Sequence, residues 1–340
     1  QNEWKNAHWG LLLGGRLDKH NLISHLIFSP RVNLRYNPTE NINLRASYSS
    51  GFRAPQAFDE DLHVGFAGGE RIVTRLASGL KEERSHSFSL SADLYQTIGS
   101  VQTNFLVEGF YTHLTDVFAL RQLNTKDSEG NRVQERYNGS GAKVLGLNLE
   151  GKAAFTSWFQ LQAGMTLQQS RYDEETEWDE DAPKVKKFMR TPSAYGYFTI
   201  GINPIKPLNI ALTGTFTGSM YIPHAVKWGQ NSAVTDRQAI AAGQRIEGYQ
   251  LALTDAQGKP IMDGTAPKKV DVDWNELTRS QSFFDLGMKV SYDLRLFKSK
   301  VQLYTGISNL FNSFQSDYDF GPNRDSAYIY GPTTPRSGYF

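Results

Sequence analysis

Cysteine and long apolar stretches are both missing from this 340-residue sequence. Zero cysteines exclude disulfide bonds and thiolate metal sites, and suit a chain that crosses an oxidising compartment such as the periplasm. No apolar run approaches the roughly eighteen residues that a membrane helix needs, and the mean hydropathy is −0.47. A helical membrane protein is therefore excluded.

A net charge of one sign is also missing, because 36 basic residues face 35 acidic ones. Without a broad basic field, no nucleic-acid partner is expected. The sequence has no P-loop, dinucleotide fingerprint or nucleophile elbow, and its seven histidines show no zinc-ligand spacing. We therefore predict that the chain is not an enzyme and carries no resident cofactor.

Aromatic residues and two-residue alternation are abundant. Val32, Leu34 and Tyr36 alternate with polar residues, and the pattern resumes after a turn at 37–40. A period of two places apolar side chains on one face of a strand and polar side chains on the other. A soluble sandwich would alternate as well, but polar and charged residues occupy the second face nearly everywhere. This favours a barrel with lipid outside and water inside.

Twelve strands are predicted, joined alternately by short turns and long loops. Leu90 and Leu161 are assigned to the lipid face, and Asp93, Glu150 and Gln160 to the lumen. Short turns on one side and long loops on the other are typical of outer-membrane barrels. The strands are Trp9 to Asp18, Leu22 to Tyr36, Asn41 to Phe52, Arg84 to Gln96, Val101 to Leu123, Arg132 to Phe155, Trp158 to Arg171, Lys187 to Asn203, Leu208 to Ser219, Gln281 to Leu294, Lys300 to Ser308 and Tyr328 to Phe340.

Two separated stretches carry a family resemblance. SPRVNLRYNPTENINLRASYSSGFRAPQAFDED at Ser29 to Asp61, followed much later by NLFN at Asn309 and YGPTTPR at Tyr330, resembles the C-terminal barrel half of TonB-dependent outer-membrane receptors. The resemblance implies an all-β, transmembrane antiparallel barrel of about 22 strands around a plug. Residues 1–340 would then supply about twelve C-terminal strands, with the plug, the other strands and the TonB-contacting segment upstream of Gln1.

The resemblance also implies a function. Such a receptor lies in the bacterial outer membrane, contacts the TonB complex and lipid, and imports a scarce small molecule, in some cases with a surface lipoprotein. We expect the cargo to be a metal chelate, such as a siderophore or haem, or cobalamin; an oligosaccharide is the alternative. The ending departs from the family, since only four residues follow Arg336, so either Phe340 is the terminal aromatic or the last residues are missing.

Candidate ligand contacts lie in the long loop from Ser219 to Ser280, where aromatic and basic residues suit a ligand with ring faces and polar edges. They are Tyr221, His224, Trp228, Arg245, Tyr249 and Trp274. Packing within the loop is the alternative for each of them. His63, in another external loop, could touch haem or a chelate or simply lie at the surface.

An acidic stretch, RYDEETEWDED, offers oxygen ligands to calcium. Its candidates are Asp173, Glu174, Asp179 and Asp181, although the spacing also fits a solvated charged loop. Phe52 to Pro55 should have a structural role where the strand ends.

Two other functions remain open. One is a twelve-strand outer-membrane hydrolase, for which His113 and Ser140 are candidates; the other is a passive channel without a plug.

Overall fold

The computed structural model describes residues 1–56, 72–156, 158–176, 184–227, 245–247, 250–252, 262–267, 269–271, 273–317 and 328–340. Regular structure in these residues is β-strand throughout. None of the described residues forms a helix long and apolar enough to cross a membrane.

The residues that the structure describes form 24 strands. They are β1 (Asn2–Lys5), β2 (Trp9–Asp18), β3 (Ile27–Thr39), β4 (Ile42–Arg53), β5 (Ile72–Leu76), β6 (Glu83–Ile98), β7 (Val101–Thr115), β8 (Phe118–Lys126), β9 (Arg132–Asn138), β10 (Ala142–Thr156), β11 (Phe159–Thr176), β12 (Val185–Lys187), β13 (Ala194–Ile205), β14 (Leu208–Thr217), β15 (Tyr221–Lys227), β16 (Arg245–Glu247), β17 (Gln250–Ala252), β18 (Met262–Asp263), β19 (Ala266–Pro267), β20 (Lys269–Asp271), β21 (Asp273–Arg279), β22 (Phe283–Leu296), β23 (Ser299–Ser308) and β24 (Ser337–Tyr339).

One antiparallel sheet of 14 strands organises the molecule, in the order β1-β2-β3-β4-β6-β7-β10-β11-β13-β14-β22-β23-β24, with β12 beside β11. Its strands are neighbours in the order in which the chain makes them. Smaller sheets form from the connections, including the ribbon β15-β21 and the sheet β5-β9-β8, in which β5 and β9 run parallel.

The register gives this sheet two chemically different faces. The apolar face contains a lateral row across five strands, Leu44, Ala92, Val107, Leu149 and Met165. The adjacent row, on the polar face, is Arg45, Ser91, Glu108, Asn148 and Thr166. Since neighbouring residues of a strand point to opposite sides, these rows define the two faces of the whole sheet.

The predicted register is confirmed. Leu90 pairs with Ala46 and Gly109 on the apolar face, and Leu161 pairs with Ala153 on the same face. Asp93, Gln160 and Glu150 fall on the polar face. Leu90 is 67% exposed, so the apolar face is uncovered by protein at this position.

The connections separate into two ends of the sheet. At the short-turn end, strands are joined across residues 6–8, 40–41, 99–100, 157–158, 206–207 and 297–298. At the long-connection end the linking segments are 19–26, 54–82, 116–141, 177–193, 218–282 and 309–336. The predicted alternation of short and long connections is confirmed.

Aromatic side chains gather near the ends of the strands on the apolar face. Trp9 stacks on Tyr36 at 4.2 Å near the short turns, and Tyr48 lies 4.8 Å from Phe88 nearer the long connections. Rings at these positions are typical of strands that pass through both interfaces of a bilayer.

The strand boundaries need several corrections. Strands predicted to begin at Leu22 and Lys187 continue into the sheet only from Ile27 and Ala194, and strands within the long connections, such as β5, β15 and β21, were not predicted. β1 was not predicted. The two predicted strands from Val101 to Leu123 and from Arg132 to Phe155 each divide, and their outer parts form the hairpin β8-β9. The last strand is only Ser337–Tyr339 instead of Tyr328 to Phe340. Pro332 and Pro335 lie in the predicted strand, and proline cannot donate a ladder hydrogen bond.

Candidate functional site

A network of hydrogen bonds occupies the polar face of β10, β11 and β13. The Tyr197 hydroxyl donates to Glu150 Oε2 at 2.7 Å and accepts from the Gln162 amide at 2.9 Å. Lys152 Nζ lies 2.8 Å from Glu150 Oε1. A cavity of about 360 Å³ lies beside this network, lined in part by Glu108, Glu150 and Tyr197. Charged groups on this face are therefore held in fixed positions.

A second polar group lies nearby on the same face. Asp93 accepts hydrogen bonds from the Tyr95 hydroxyl at 3.0 Å and from the Asn104 amide at 2.5 Å. Both carboxylates, Asp93 and Glu150, are thus satisfied by neighbouring side chains. This is how polar groups are retained on the inner wall of a barrel.

Tyr221 is the first residue of β15, in the ribbon β15-β21 at the long-connection end. Lys187 Nζ donates to its hydroxyl at 2.6 Å, and the Arg279 guanidinium carbon lies 5.7 Å from its ring centre. The hydrogen bond from Lys187 lowers the pKa of the Tyr221 phenol. The tyrosine therefore lies between two cations, in a region that attracts anions.

His224 lies three residues further along the same strand and is fully buried. Its ring stacks on Tyr328, with 3.7 Å between centroids and 16° between planes. Tyr328 is also fully buried. The stack joins the ribbon to the last long connection, and a ligand could touch His224 only if Tyr328 moved.

Asp317 sits between two tyrosines of that last connection. The hydroxyls of Tyr328 and Tyr330 both donate to its carboxylate, at 3.2 and 2.5 Å. Burial, reinforced by the charge of Asp317, raises the pKa of Tyr328 to about 12. Burial and the hydrogen bond to Asp317 also raise the pKa of Tyr330. Both phenols are thereby held neutral.

Gln315 completes this cluster. Its amide nitrogen donates to the Tyr328 carbonyl at 3.0 Å, and its oxygen accepts from the Tyr330 backbone N–H at 3.0 Å. The tyrosine cluster, comprising His224, Gln315, Asp317, Tyr328 and Tyr330, was not anticipated as a unit. The available signal was the two-residue spacing of Gln315 and Asp317 and of Tyr328 and Tyr330, which places each pair on one side of an extended chain.

For the other predicted ligand contacts, the structure gives either the backbone pairing alone or no description. Trp228 and Tyr249 lie outside the described residues, as does His63. Backbone pairing puts Arg245 opposite Ala252 and Trp274 opposite Val226. Tyr221 and Trp274 therefore belong to the same ribbon.

Two of the four calcium candidates are described. Asp173 pairs with Lys143 at 2.7 Å and with His113 at 3.2 Å, and Glu174 lies beside it in β11. Asp179 and Asp181 fall outside the described residues. The described residues contain no group of three or more acidic or histidine side chains arranged to hold a metal ion. Calcium binding stays a prediction.

The Phe52 to Pro55 segment ends β4, where it contacts the first residue of β6 and the hairpin β8-β9. The Arg53 guanidinium bonds Glu83 at 3.1 Å and lies 5.0 Å above the Phe118 ring, while Pro55 is buried. Nearby, burial alone would raise the pKa of Glu82. The hydrogen bonds that its carboxylate accepts from its own backbone N–H, Arg84 and His25 together outweigh burial, so the pKa of Glu82 is lowered. These contacts fit the expected structural role.

The hydrolase alternative depended on His113 and Ser140. His113 lies against Asp173, but the Ser140 hydroxyl donates to the Gly141 carbonyl at 3.3 Å. Within the part of the chain that the structure describes, no hydrogen bond joins Ser140 to His113. The nucleophile and base of a serine hydrolase need that contact.

The sequence matches a known family of membrane barrels. The family model described as TonB dependent receptor-like, beta-barrel, matches residues 1–310. No curated protein matches the chain.

Solved structures resemble it at low sequence identity. The FrpB iron transporter from Neisseria meningitidis (F3-3 variant) is 14% identical with a TM-score of 0.59, and the match covers 99% of this chain and 43% of FrpB. The siderophore receptor PirA from Pseudomonas aeruginosa is 15% identical with a TM-score of 0.56, covering 90% and 43%. A mutant of the ferric enterobactin receptor PfeA from the same species is 16% identical with a TM-score of 0.58, covering 98% and 42%.

These likenesses establish the fold, and the chain spans less than half the length of each of these relatives. The family match covers most of the sequence, and the two-faced sheet with its short and long ends agrees with it. The chain belongs to the TonB-dependent receptor-like β-barrel family.

Proposed function

We propose that this chain forms the C-terminal barrel portion of a TonB-dependent receptor that imports a metal chelate across the bacterial outer membrane. The observation that carries the proposal is the match of the family model to residues 1–310. The solved relatives include an iron transporter and siderophore receptors, which favours iron chelates among the small molecules that such a barrel could carry. A corrinoid such as cobalamin remains within the proposal.

The two faces of the sheet supply the physical basis. Leucine, phenylalanine and methionine side chains on the apolar face are exposed, as a lipid-facing wall requires. Charged groups on the polar face, such as Glu150 and Lys152, are paired along a wall that would face water or another protein segment. In the proposal, the remaining strands and a plug come from a preceding part of the same receptor, which also contacts TonB.

The long-connection end would face the exterior and capture the ligand. The proposed contacts are those of the segment between Ser219 and Ser280, with Trp228, Arg245 and Tyr249 as the first to test. Tyr221 supports this choice, because the Arg279 guanidinium beside its ring favours an anionic chelate at the entrance. His224 would act indirectly, by fixing the ribbon against Tyr328.

Binding to the full-length receptor tests the ligand class. The panel should contain ferric siderophores of different charge, haem, cobalamin and oligosaccharides. We expect a chelate to bind tightly, and alanine at a true anchor among Trp228, Arg245 and Tyr249 to cost about 1 to 3 kcal/mol of binding free energy. Lys206→Ala, in a short turn at the opposite end, is the matched control and should change nothing.

Tight binding of an oligosaccharide alone, with no chelate bound and no loss in the three alanine variants, would contradict both the ligand class and the site.

A further inference from the structure

Three basic residues lie side by side at the long-connection end of the apolar face. Lys143 of β10 pairs with Arg171 of β11, and Arg171 pairs with Lys187 of β12. We call these three residues the basic row. Adjacent strands are about 4.8 Å apart, so the row spans about 10 Å, close to the width of a phosphorylated headgroup.

The row lies on the apolar face of the sheet. Counting by twos along β10, Lys143 shares its face with Leu145 and Leu147, and along β11 Arg171 shares its face with Leu167. Leu145 and Leu167 are 42% and 43% exposed. The cations therefore continue the wall that faces outward from the barrel.

Two of the three cations in the basic row form no ion pair within the described residues. Lys143 is neutralised by Asp173 at 2.7 Å. Arg171 and Lys187 are both exposed, and within the described ranges neither forms an ion pair with a carboxylate. Lys187 is instead oriented by its 2.6 Å hydrogen bond to Tyr221. Two exposed cations on neighbouring strands, one of them held beside a hydroxyl, favour a phosphate group.

A groove of about 470 Å³ lies on the same face of the same strands. Its floor is made of small residues at Gly151, Ala163, Gly196 and Gly214. Leu149, Met165 and four phenylalanines form the walls: Phe105, Phe198, Phe216 and Phe284. A side chain added at Gly151 would meet nothing within 4 Å, so the groove is open there.

The spacing between row and groove fits one lipid. Met165 precedes Arg171 by six residues, or about 20 Å along a strand. A strand tilt of about 40° reduces this to a depth of about 15 Å, half the thickness of a bilayer core. A lipid with its phosphate on the row would therefore place the ends of its acyl chains at the groove.

We propose that the basic row and the groove together bind one phosphorylated lipid of the outer leaflet, with the phosphate on Arg171 and Lys187 and the end of an acyl chain against Leu149 and Met165 of the groove. This inference rests on the proposed function, because it needs the apolar face to lie in an outer membrane. Charge complementarity at the row selects a phosphorylated lipid of net negative charge over a zwitterionic phospholipid, whose own headgroup cation offsets its phosphate.

Native mass spectrometry of the detergent-purified full-length receptor tests this inference. The probes are bisphosphorylated lipid A, its dephosphorylated form and inorganic phosphate. We expect the bisphosphorylated lipid to bind most tightly. R171Q combined with K187Q should weaken that binding about 30-fold, since each cation near an anionic surface is worth about a factor of five.

Each variant has a matched control. K206Q removes an exposed cation at the short-turn end and should bind lipid normally. G151L fills the groove and should weaken binding of the bisphosphorylated lipid about tenfold. G109L also enters open space on the apolar face, but outside the groove, and should have no effect. Heat-modified gel mobility confirms that every variant is folded.

Equal binding of the two lipids, or unchanged binding in folded R171Q/K187Q, would overturn the inference. It would also fail if that variant kept its lipid and lost the chelate, because the row would then belong to the import site. Chelate uptake by the wild type is measured separately: uptake without lipid binding defeats only this inference, whereas lipid binding without uptake defeats the proposed function.

Discussion

Leu90→Arg is the substitution that probes the two faces most sharply. Seven residues of β6 precede Leu90 (83–89) and eight follow it (91–98), so it lies near the middle of the strand. The side chain is 67% exposed on the apolar face. Arginine at the midplane of the lipid face costs about 2 to 4 kcal/mol, which is a change of about 30-fold to 900-fold in the folding equilibrium.

Ser91→Arg is the matched control, since it places the same charge one residue further along the strand on the polar face. Ser91 pairs with Arg45 on one side and Glu108 on the other, so repulsion and attraction offset each other. We expect a change below about 1 kcal/mol. Both variants should be unfolded with urea from lipid vesicles and followed by tryptophan fluorescence. If Ser91→Arg were the more damaging, the assignment of the two faces would be wrong by one residue.

Three further predictions follow from the described contacts. The pKa of Tyr328 is raised to about 12 in the folded protein, so its stabilising effect is complete below the ordinary tyrosine pKa of 10 and is lost as the pH rises towards 12. Thermal unfolding at alkaline pH should show this loss, and Tyr328→Phe should reduce it while leaving the contribution of Tyr330, whose pKa is also raised. A double-mutant cycle between Glu150→Gln and Tyr197→Phe should give a coupling of about 0.5 to 1.5 kcal/mol, whereas additive effects would mean that the 2.7 Å hydrogen bond contributes nothing. Because the chain lacks cysteine, Ser128→Cys should react with an impermeant maleimide on intact cells and Lys206→Cys only after the outer membrane is opened; the reverse pattern would invert the topology.

Much of the sheet could be predicted from sequence because its information is local. Each strand pairs with the next sheet strand along the chain, and the two-residue alternation in Leu90 to Leu94 directly records which face each side chain occupies. Short turns then fix the register of each hairpin. The errors fall where these signals fail: β1 is only four residues long, and prolines interrupt the final strand.

The candidate site was less predictable because its contacts join distant parts of the chain. The stack of His224 on Tyr328 links residues more than a hundred positions apart, and neither local sequence indicates the other. Lys187 likewise meets Tyr221 only because β12 ends beside the ribbon. Aromatic and basic composition directed the prediction to the connection between Ser219 and Ser280 but could not separate a buried histidine from a tyrosine held between cations.

The central proposal is that this chain supplies the C-terminal portion of the membrane-embedded barrel of an energised importer. Accumulation of a radiolabelled ferric chelate by cells expressing the full-length receptor as their sole receptor for that chelate tests it most directly, with and without a functional TonB. We predict that accumulation requires both the receptor and TonB. Accumulation that continues unchanged without TonB would contradict the account and show a passive channel instead.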